Sequence, residues 1–231
     1  MVQFNRSDPN YWKMRRGMQW GRFGKKLGNV YEKRDVNSVA QAAWSGVKYL
    51  RTLVNSEVHK HDVGPTSQTV GTTATIVQLN AIAQGDTAAQ RTGQSILAKY
   101  LAIKFSLTTH ATPQQTLVRI ILFMDKQQVA DTAPGTTDLL SSNSTFAFLN
   151  NQASGRFQVI KDWFVEVDPA SKPCRTWKFY KKYAGSNLHC KYNGVNNTDI
   201  QKNGIYLLML SSEATNTPTL TYATRFGFHD N

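Results

Sequence analysis

The chain has 231 residues, of which 40% are hydrophobic and 18% charged. That is enough apolar material for one sizeable core, and too little charge for a disordered or coiled-coil protein. It carries 27 Lys and Arg against 15 Asp and Glu, a formal net charge of +12, which favours polyanionic partners. The excess is concentrated: residues 1–60 hold 12 cations and 4 carboxylates, and residues 61–231 hold 15 and 11. This is the layout of a basic arm on a nearly neutral body.

Residues 1–34 mix cations, glycines and aromatics without a sustained period. Tyr11-Trp12-Lys13-Met14-Arg15-Arg16 and Trp20-Gly21-Arg22-Phe23-Gly24-Lys25-Lys26 interleave the two chemistries. Lys and Arg neutralise phosphates and release counterions; Trp and Phe stack on unpaired bases, worth about 1–3 kcal/mol each. Trp12, Lys13, Arg15, Arg16, Trp20, Arg22, Phe23, Lys25 and Lys26 are therefore candidates for contact with a single-stranded nucleic acid. A solvated basic tail or a nuclear-import signal is the plainer reading of the same run. Met1 to Asn10 contains no apolar stretch, so no secretory signal is expected. No apolar run approaches the roughly 18 residues of a membrane span. A membrane is not an expected partner, the sequons at Asn5, Asn143 and Asn196 read as chance matches, and the chain is expected to be made and used inside a cell.

Between Asp35 and Asn55 the pattern changes. Val36, Val39, Ala43, Val47, Leu50 and Val54 recur at spacings of 3, 4, 4, 3 and 4, one apolar stripe of an α-helix. Asp35 or Ser38 is the expected cap, Ser38 with Gln41 forming a capping box. Lys48 and Arg51 lie off the stripe and join the nucleic-acid candidates. We divide the chain into an arm (1–34), an amphipathic helix (35–56) and a body (57–231).

From Gln68 the period becomes two, which predicts eight strands: 68–79, 95–108, 115–126, 156–167, 175–183, 187–193, 204–212 and 218–228. In the last, Leu220, Tyr222, Phe226 and Phe228 point one way while Thr219, Thr221 and Arg225 point the other. Leu117 to Phe123 is apolar on both faces, as in a strand covered on both sides. Eight strands with no helix among them predict an all-β fold, a jelly-roll sandwich of two four-stranded sheets. The connection from Gln127 to Gly155 is long enough to carry contacts, and Asp138 to Asn150 has room for a short helix.

A second basic cluster sits in the strand at 175–183. By alternation Arg175, Trp177, Phe179, Lys181 and Tyr183 share one side, and Lys178, Tyr180 and Lys182 the other. Arg175, Lys178 and Lys182 are further nucleic-acid candidates; lysines guarding an edge strand are the bland equivalent. His59, Lys60, His61 and Asp62 are too sparse for a metal site and read as a solvated linker. Asp162, Glu166 and Asp168 share a strand face, and calcium at a subunit contact is the one metal reading they allow; no cofactor is otherwise expected. Cys174 and Cys190 are too few for a disulfide scaffold and read as reduced. No nucleophile, phosphate-loop or dinucleotide motif is present, so the chain is not expected to be an enzyme.

Leu79 to Asp86, followed by Arg91-Thr92-Gly93-Gln94-Ser95-Ile96, resembles the jelly-roll capsid proteins of the satellite tobacco necrosis virus type. Many circular, Rep-encoding single-stranded DNA viruses also have such proteins, and geminivirus and nanovirus coats are more distantly similar. Three further stretches look alike: Val54-Asn55-Ser56-Glu57 to His61-Asp62, Asp162-Trp163, and Asn203 to Ser212. The Gln-Gly and Arg-x-Gly stretch reads as a turn in which Gly85 and Gly93 permit bends and Arg91 offers a fixed charge. The resemblance implies a virion protein, sixty copies in a T=1 icosahedral shell, with the arm facing a single-stranded genome. DNA is favoured over RNA, because the likeness in the helix-to-barrel linker is strongest there. Assembly in the host nucleus or cytoplasm would follow. Sixty copies of residues 1–60, at +8 each, supply on the order of +500, matching several hundred phosphates. A cellular single-stranded nucleic-acid-binding β-barrel explains the charge equally well but usually needs about five strands. A secreted lectin or cytokine-like jelly roll fits neither the basicity nor the leader.

Overall fold

The computed structural model describes residues 36–53, 57–112, 115–128, 132–150, 155–183 and 188–230, with the side chains of 36–38 and 50–53 left aside. The candidates from Trp12 to Lys26 lie outside the described residues. The chain divides into two units, Met1–Asn55 and Ser56–Asn231.

In the first unit, helix α1 spans Val36–Leu53. It begins at Val36, so Ser38 lies within the first turn and the expected Ser38–Gln41 box is not the start of the helix. Val39, Trp44, Val47 and Tyr49 are all exposed, as is Lys48.

Among its described residues the second unit has ten strands and one helical turn: β1 (His59–Thr69), β2 (Thr75–Gln78), β3 (Ser95–Thr108), β4 (Thr116–Asp125), α2 (Thr136–Leu139), β5 (Phe157–Val167), β6 (Cys174–Lys182), β7 (His189–Tyr192), β8 (Ile200–Lys202), β9 (Gly204–Ser211) and β10 (Thr219–Asp230). They form two antiparallel sheets. One runs β1-β10-β3-β7-β8, with β6 pairing the other half of β3; the second runs β2-β9-β4-β5. Consecutive strands alternate between the sheets from β1 to β4, as in the jelly-roll arrangement.

The linker expected at His59–Asp62 is in fact the start of β1. His59 stacks on Phe228 of β10, with ring centroids 5.6 Å apart, and its neighbours alternate between half-buried and exposed. The mixed His-Lys-His-Asp composition hid this strand because it is a sheet edge covered on one face only. The expected strand at 68–79 is divided for a related reason. The chain leaves the first sheet after Thr69 and enters the second at Thr75. Val70 marks the corner: its backbone N–H donates to Pro218 O at 2.9 Å, and Ser211 Oγ donates to Val70 O at 2.7 Å.

The core lies between the sheets. Phe105 of β3 stacks on Trp177 of β6 at 4.9 Å and meets Trp163 of β5 edge-on at 5.5 Å, while Trp163 meets Phe179 edge-on at 5.4 Å. These rings tie β3 and β6 to β5 across the sandwich. Val118, Ile120 and Leu122 of β4 are fully buried, and so is Ile121, which points the other way. The apolar run is therefore covered on both faces, as its sequence predicts. The outer cover is the connection between β4 and β5. Its helix is shorter than expected, one turn at α2, after which Leu140 and Leu149 bridge. Arg119, almost fully buried, fastens this connection to the sheet. It donates from Nη1 to Thr145 O at 3.0 Å and Ala147 O at 2.5 Å, and from Nη2 to Asp162 Oδ2 at 2.7 Å.

Candidate nucleic-acid interface

Among the described residues of the second unit, nothing packs over the outer face of the β1-β10-β3-β6 sheet. Strand register, which alternation alone cannot give, decides which side chains meet there. One row across four strands is Lys60, Gly227, Tyr100 and Lys182; the next is Asp62, Arg225, Ala102 and Tyr180. In the third, Ala223, Lys104 and Lys178 stand side by side. Ser67, Thr221, Ser106 and Thr176 complete a polar fourth row.

This face holds five cations and one carboxylate, and that carboxylate is committed. Arg225 grips Asp62 with two hydrogen bonds, Nε to Oδ1 at 2.8 Å and Nη2 to Oδ2 at 2.7 Å. The bonds from Arg225 hold the Asp62 carboxyl below its ordinary range, against the opposing effect of burial. Among the described residues no carboxylate forms an ion pair with Lys60, Lys104, Lys178 or Lys182. Lys104 and Lys178 are direct cross-strand partners on one exposed face. Like charges in that position repel, and an anion between them removes the repulsion.

The aromatic component is also present. Tyr100 and Tyr180 stack with centroids 5.9 Å apart, and Tyr180 is 63% exposed. Tyr100 lies flat across the sheet because residue 227 is a glycine: a Cβ there would meet the ring, coming within 2.6 Å of Cδ1 and Cζ. Ala102 and Ala223 are small, and with Lys104 and Arg225 they leave a hollow of about 260 Å³. The β1 rim of that hollow turns at Gly64, whose φ of +105° and closeness to Tyr222 O, 2.7 Å from a would-be Cβ, exclude other residues. Cations, stacking rings and a shallow trough suit a flexible single strand of nucleotides.

Of the candidates read from sequence, Lys178 and Lys182 stand on this face. Arg175 projects on the opposite side of β6, opposite Leu107, and does not join them. Lys48 is on α1, in the other unit, and the Arg51 side chain lies outside those described. Sequence reading missed Lys60, Tyr100, Lys104 and Arg225. The alternation in 218–228 set Arg225 opposite the apolar side, and the same period in 95–108 holds the signal for Lys104, but nothing local says that the two are neighbours.

The remaining constellations resolve into structural roles. Arg91, expected as a fixed charge on a turn, is fully buried. Its guanidinium donates to Ile82 O at 3.0 Å, Gly93 O at 2.7 Å and Gly194 O at 2.5 Å, and lies 4.1 Å from the centre of the Tyr192 ring. Gly85 and Gly93 do not adopt positive φ; at Gly85 a Cβ would strike the Gln90 side chain. The three carboxylates considered for calcium go separate ways: Asp162 to Arg119, Glu166 to Gln115, and Asp168 to Ala170 N and Ser171 Oγ. Among the described residues there is no group of three metal-binding side chains. Both cysteines are free: Cys174 is exposed and Cys190 buried.

Among solved structures, 22 chains match this one. Desmodium yellow mottle tymovirus is 10% identical, with a TM-score of 0.36 over 75% of this chain and 87% of that one. Broad bean stain virus is 11% identical, with a TM-score of 0.34 over 77% and 87%. The native virion of Kashmir bee virus at acidic pH is 12% identical, with a TM-score of 0.31 over 77% and 70%. Curated protein sequences give no match. The model of the Satellite tobacco necrosis virus coat protein family matches residues 33–229, which takes in all of α1 and the sandwich up to the penultimate residue of β10. The chain belongs to that family and is a viral capsid protein, a structural component of the virion rather than an enzyme.

Proposed function

We propose that sixty copies form a T=1 icosahedral shell around a single-stranded genome, held by two basic elements: the arm at 1–34 and the open sheet face. The observation that carries this reading is the row structure of that face, where Lys104 stands against Lys178 beside the Tyr100–Tyr180 stack. The division of labour follows the charge: an arm at 1–34, a helix at 35–56 and a shell domain at 57–231. The face adds roughly four net charges per subunit, on the order of 200 per shell, to the several hundred carried by the arms. A single-stranded DNA genome is the reading favoured by the helix-to-barrel linker, with assembly in the host nucleus or cytoplasm.

The test is expression of the full chain, imaging of the purified material, and digestion of its contents. Closed shells about sixty subunits in mass, protecting a polymer that only a DNase degrades after opening, are expected. A monomer at every salt concentration with no affinity for oligonucleotides would refute the proposal. Shells whose contents yield only to RNase would overturn the choice of DNA alone.

A further inference from the structure

The sandwich has a second exposed surface of a different kind. On the covered sheet, the β4–β5 connection carries Phe146, Phe148 and Leu149, which are 73%, 85% and 43% exposed. Phe164 of β5, 51% exposed, stacks on Phe146 with centroids 6.2 Å apart. Together they border a shallow hollow of about 490 Å³. With 150–250 Å² per aromatic side chain, the exposed apolar area is on the order of 400–500 Å². A patch of that size matches the largest one on a typical soluble monomer, about 300–600 Å², which is often functional.

The chemistry selects the occupant. The charged groups bordering the hollow are Arg119 and Asp162, and they neutralise each other in a two-pronged ion pair. Phosphates find no free cation here, so the patch does not suit the genome. A second copy of the chain fits better. Every copy carries the same excess of positive charge, and two copies approaching by their open sheet faces would set unpaired lysines against lysines. At the aromatic patch that repulsion is absent. The area is about half of one side of a standard interface, roughly 800 Å² per partner, as expected for the apolar centre of a contact with a polar rim.

We propose that Phe146, Phe148, Leu149 and Phe164 form the centre of a contact between two copies of this chain within the shell. The inference rests on the capsid reading and adds to it which surface of the body makes a shell contact.

Two measurements on the full chain test it. The first replaces Phe148 with a photo-crosslinking phenylalanine and irradiates assembled shells. A product of twice the chain mass supports the contact. Crosslinks confined to one chain, crosslinks to packaged nucleic acid, or no crosslink overturn it. The second compares Phe148→Asp and Phe148→Ser with the parent chain. The concentration needed for assembly should rise at least tenfold for the aspartate and less for the serine. Oligonucleotide affinity should stay within twofold and the melting midpoint within about 2 °C, because an 85%-exposed side chain adds little to the fold. Assembly unchanged in both variants refutes the patch while leaving the capsid reading intact. A parent chain that never assembles refutes both.

Discussion

Replacing Arg91 with methionine should cost the sandwich about 3–5 kcal/mol, the range for breaking a buried charge-bonded group. The structure fixes the reasoning. Arg91 is fully buried, and its three donors each serve a different carbonyl, on Ile82, Gly93 and Gly194. Charge-assisted bonds contribute roughly 1.5–3 kcal/mol each, and an abandoned buried carbonyl costs about 1–3. Against this stands the cost of burying the guanidinium, which lowers the Arg91 pKa from its ordinary value and is relieved in the variant. Partial cancellation leaves a few kcal/mol, a large share of the 5–15 kcal/mol that stabilises a typical domain. For a body of this size each kcal/mol moves the midpoint by about 2–4 °C, so a fall of roughly 10 °C is expected. The assay is thermal unfolding of the unassembled subunit by circular dichroism, paired with urea titration to check that the denaturant slope is unchanged. Arg91→Lys should recover part of the loss, since one ammonium keeps the charge but cannot bond three diverging carbonyls. A midpoint within 2 °C of the parent for Arg91→Met would refute the reasoning, because it would mean the loops around Tyr192 hold without their common donor.

Other consequences follow from the same physics. Changing Lys104, Lys178 and Lys182 together to Gln should reduce the slope of log affinity against log salt for single-stranded oligonucleotides by about 2, at roughly 0.7 per phosphate contact; fluorescence anisotropy across salt concentrations measures it, and an unchanged slope removes the sheet face from the interface. Tyr180→Ala should weaken oligonucleotide binding about 5- to 150-fold without altering that slope, since one stacked base is worth about 1–3 kcal/mol. Asp230 accepts hydrogen bonds from Thr92 N and Oγ1 at 2.5 Å each. Burial pushes its pKa up, but these bonds outweigh burial and hold it below the ordinary 3.8. Its contribution is therefore present above about pH 4 and lost as pH falls through the lower, folded-state value; Asp230→Asn should flatten the acid side of the stability curve, measured by urea unfolding from pH 5 to pH 2. Burial raises the Cys190 thiol pKa to about 12, whereas Cys174 is exposed; a thiol reagent at pH 8 should label one cysteine in the native chain and two in urea.

The sequence made the strands legible where one face of a strand is apolar and the other polar, or where both are apolar. Segments 95–108, 115–126, 156–167 and 204–212 coincide with β3, β4, β5 and β9 to within a residue or so, because their side chains see the core directly. The failures have physical causes. β1 is an edge strand whose inward residues include His59 and His61, so its burial left no apolar alternation to read. β8, Ile200–Lys202, is too short to show any period. The charge on Arg91 looked like a surface feature, since nothing local reveals that a carbonyl of the distant β7–β8 connection joins two from its own β2–β3 connection around it. The open face was the least legible, because Lys60, Tyr100, Lys104 and Arg225 come from three strands distant in the chain and meet only through pairing register. The helix stripe at 36–54 correctly indicated α1.

The Lys104–Lys178 pair has one further consequence. An empty subunit holds two like charges at cross-strand distance, a small penalty stored in the free state and released when a polyanion lies between them. Subunits that carry this penalty gain more from meeting a polymer than from meeting one another bare. If the face binds the genome as proposed, the order of events is biased: polymer engagement would precede or accompany closure, and hollow particles would be the disfavoured product.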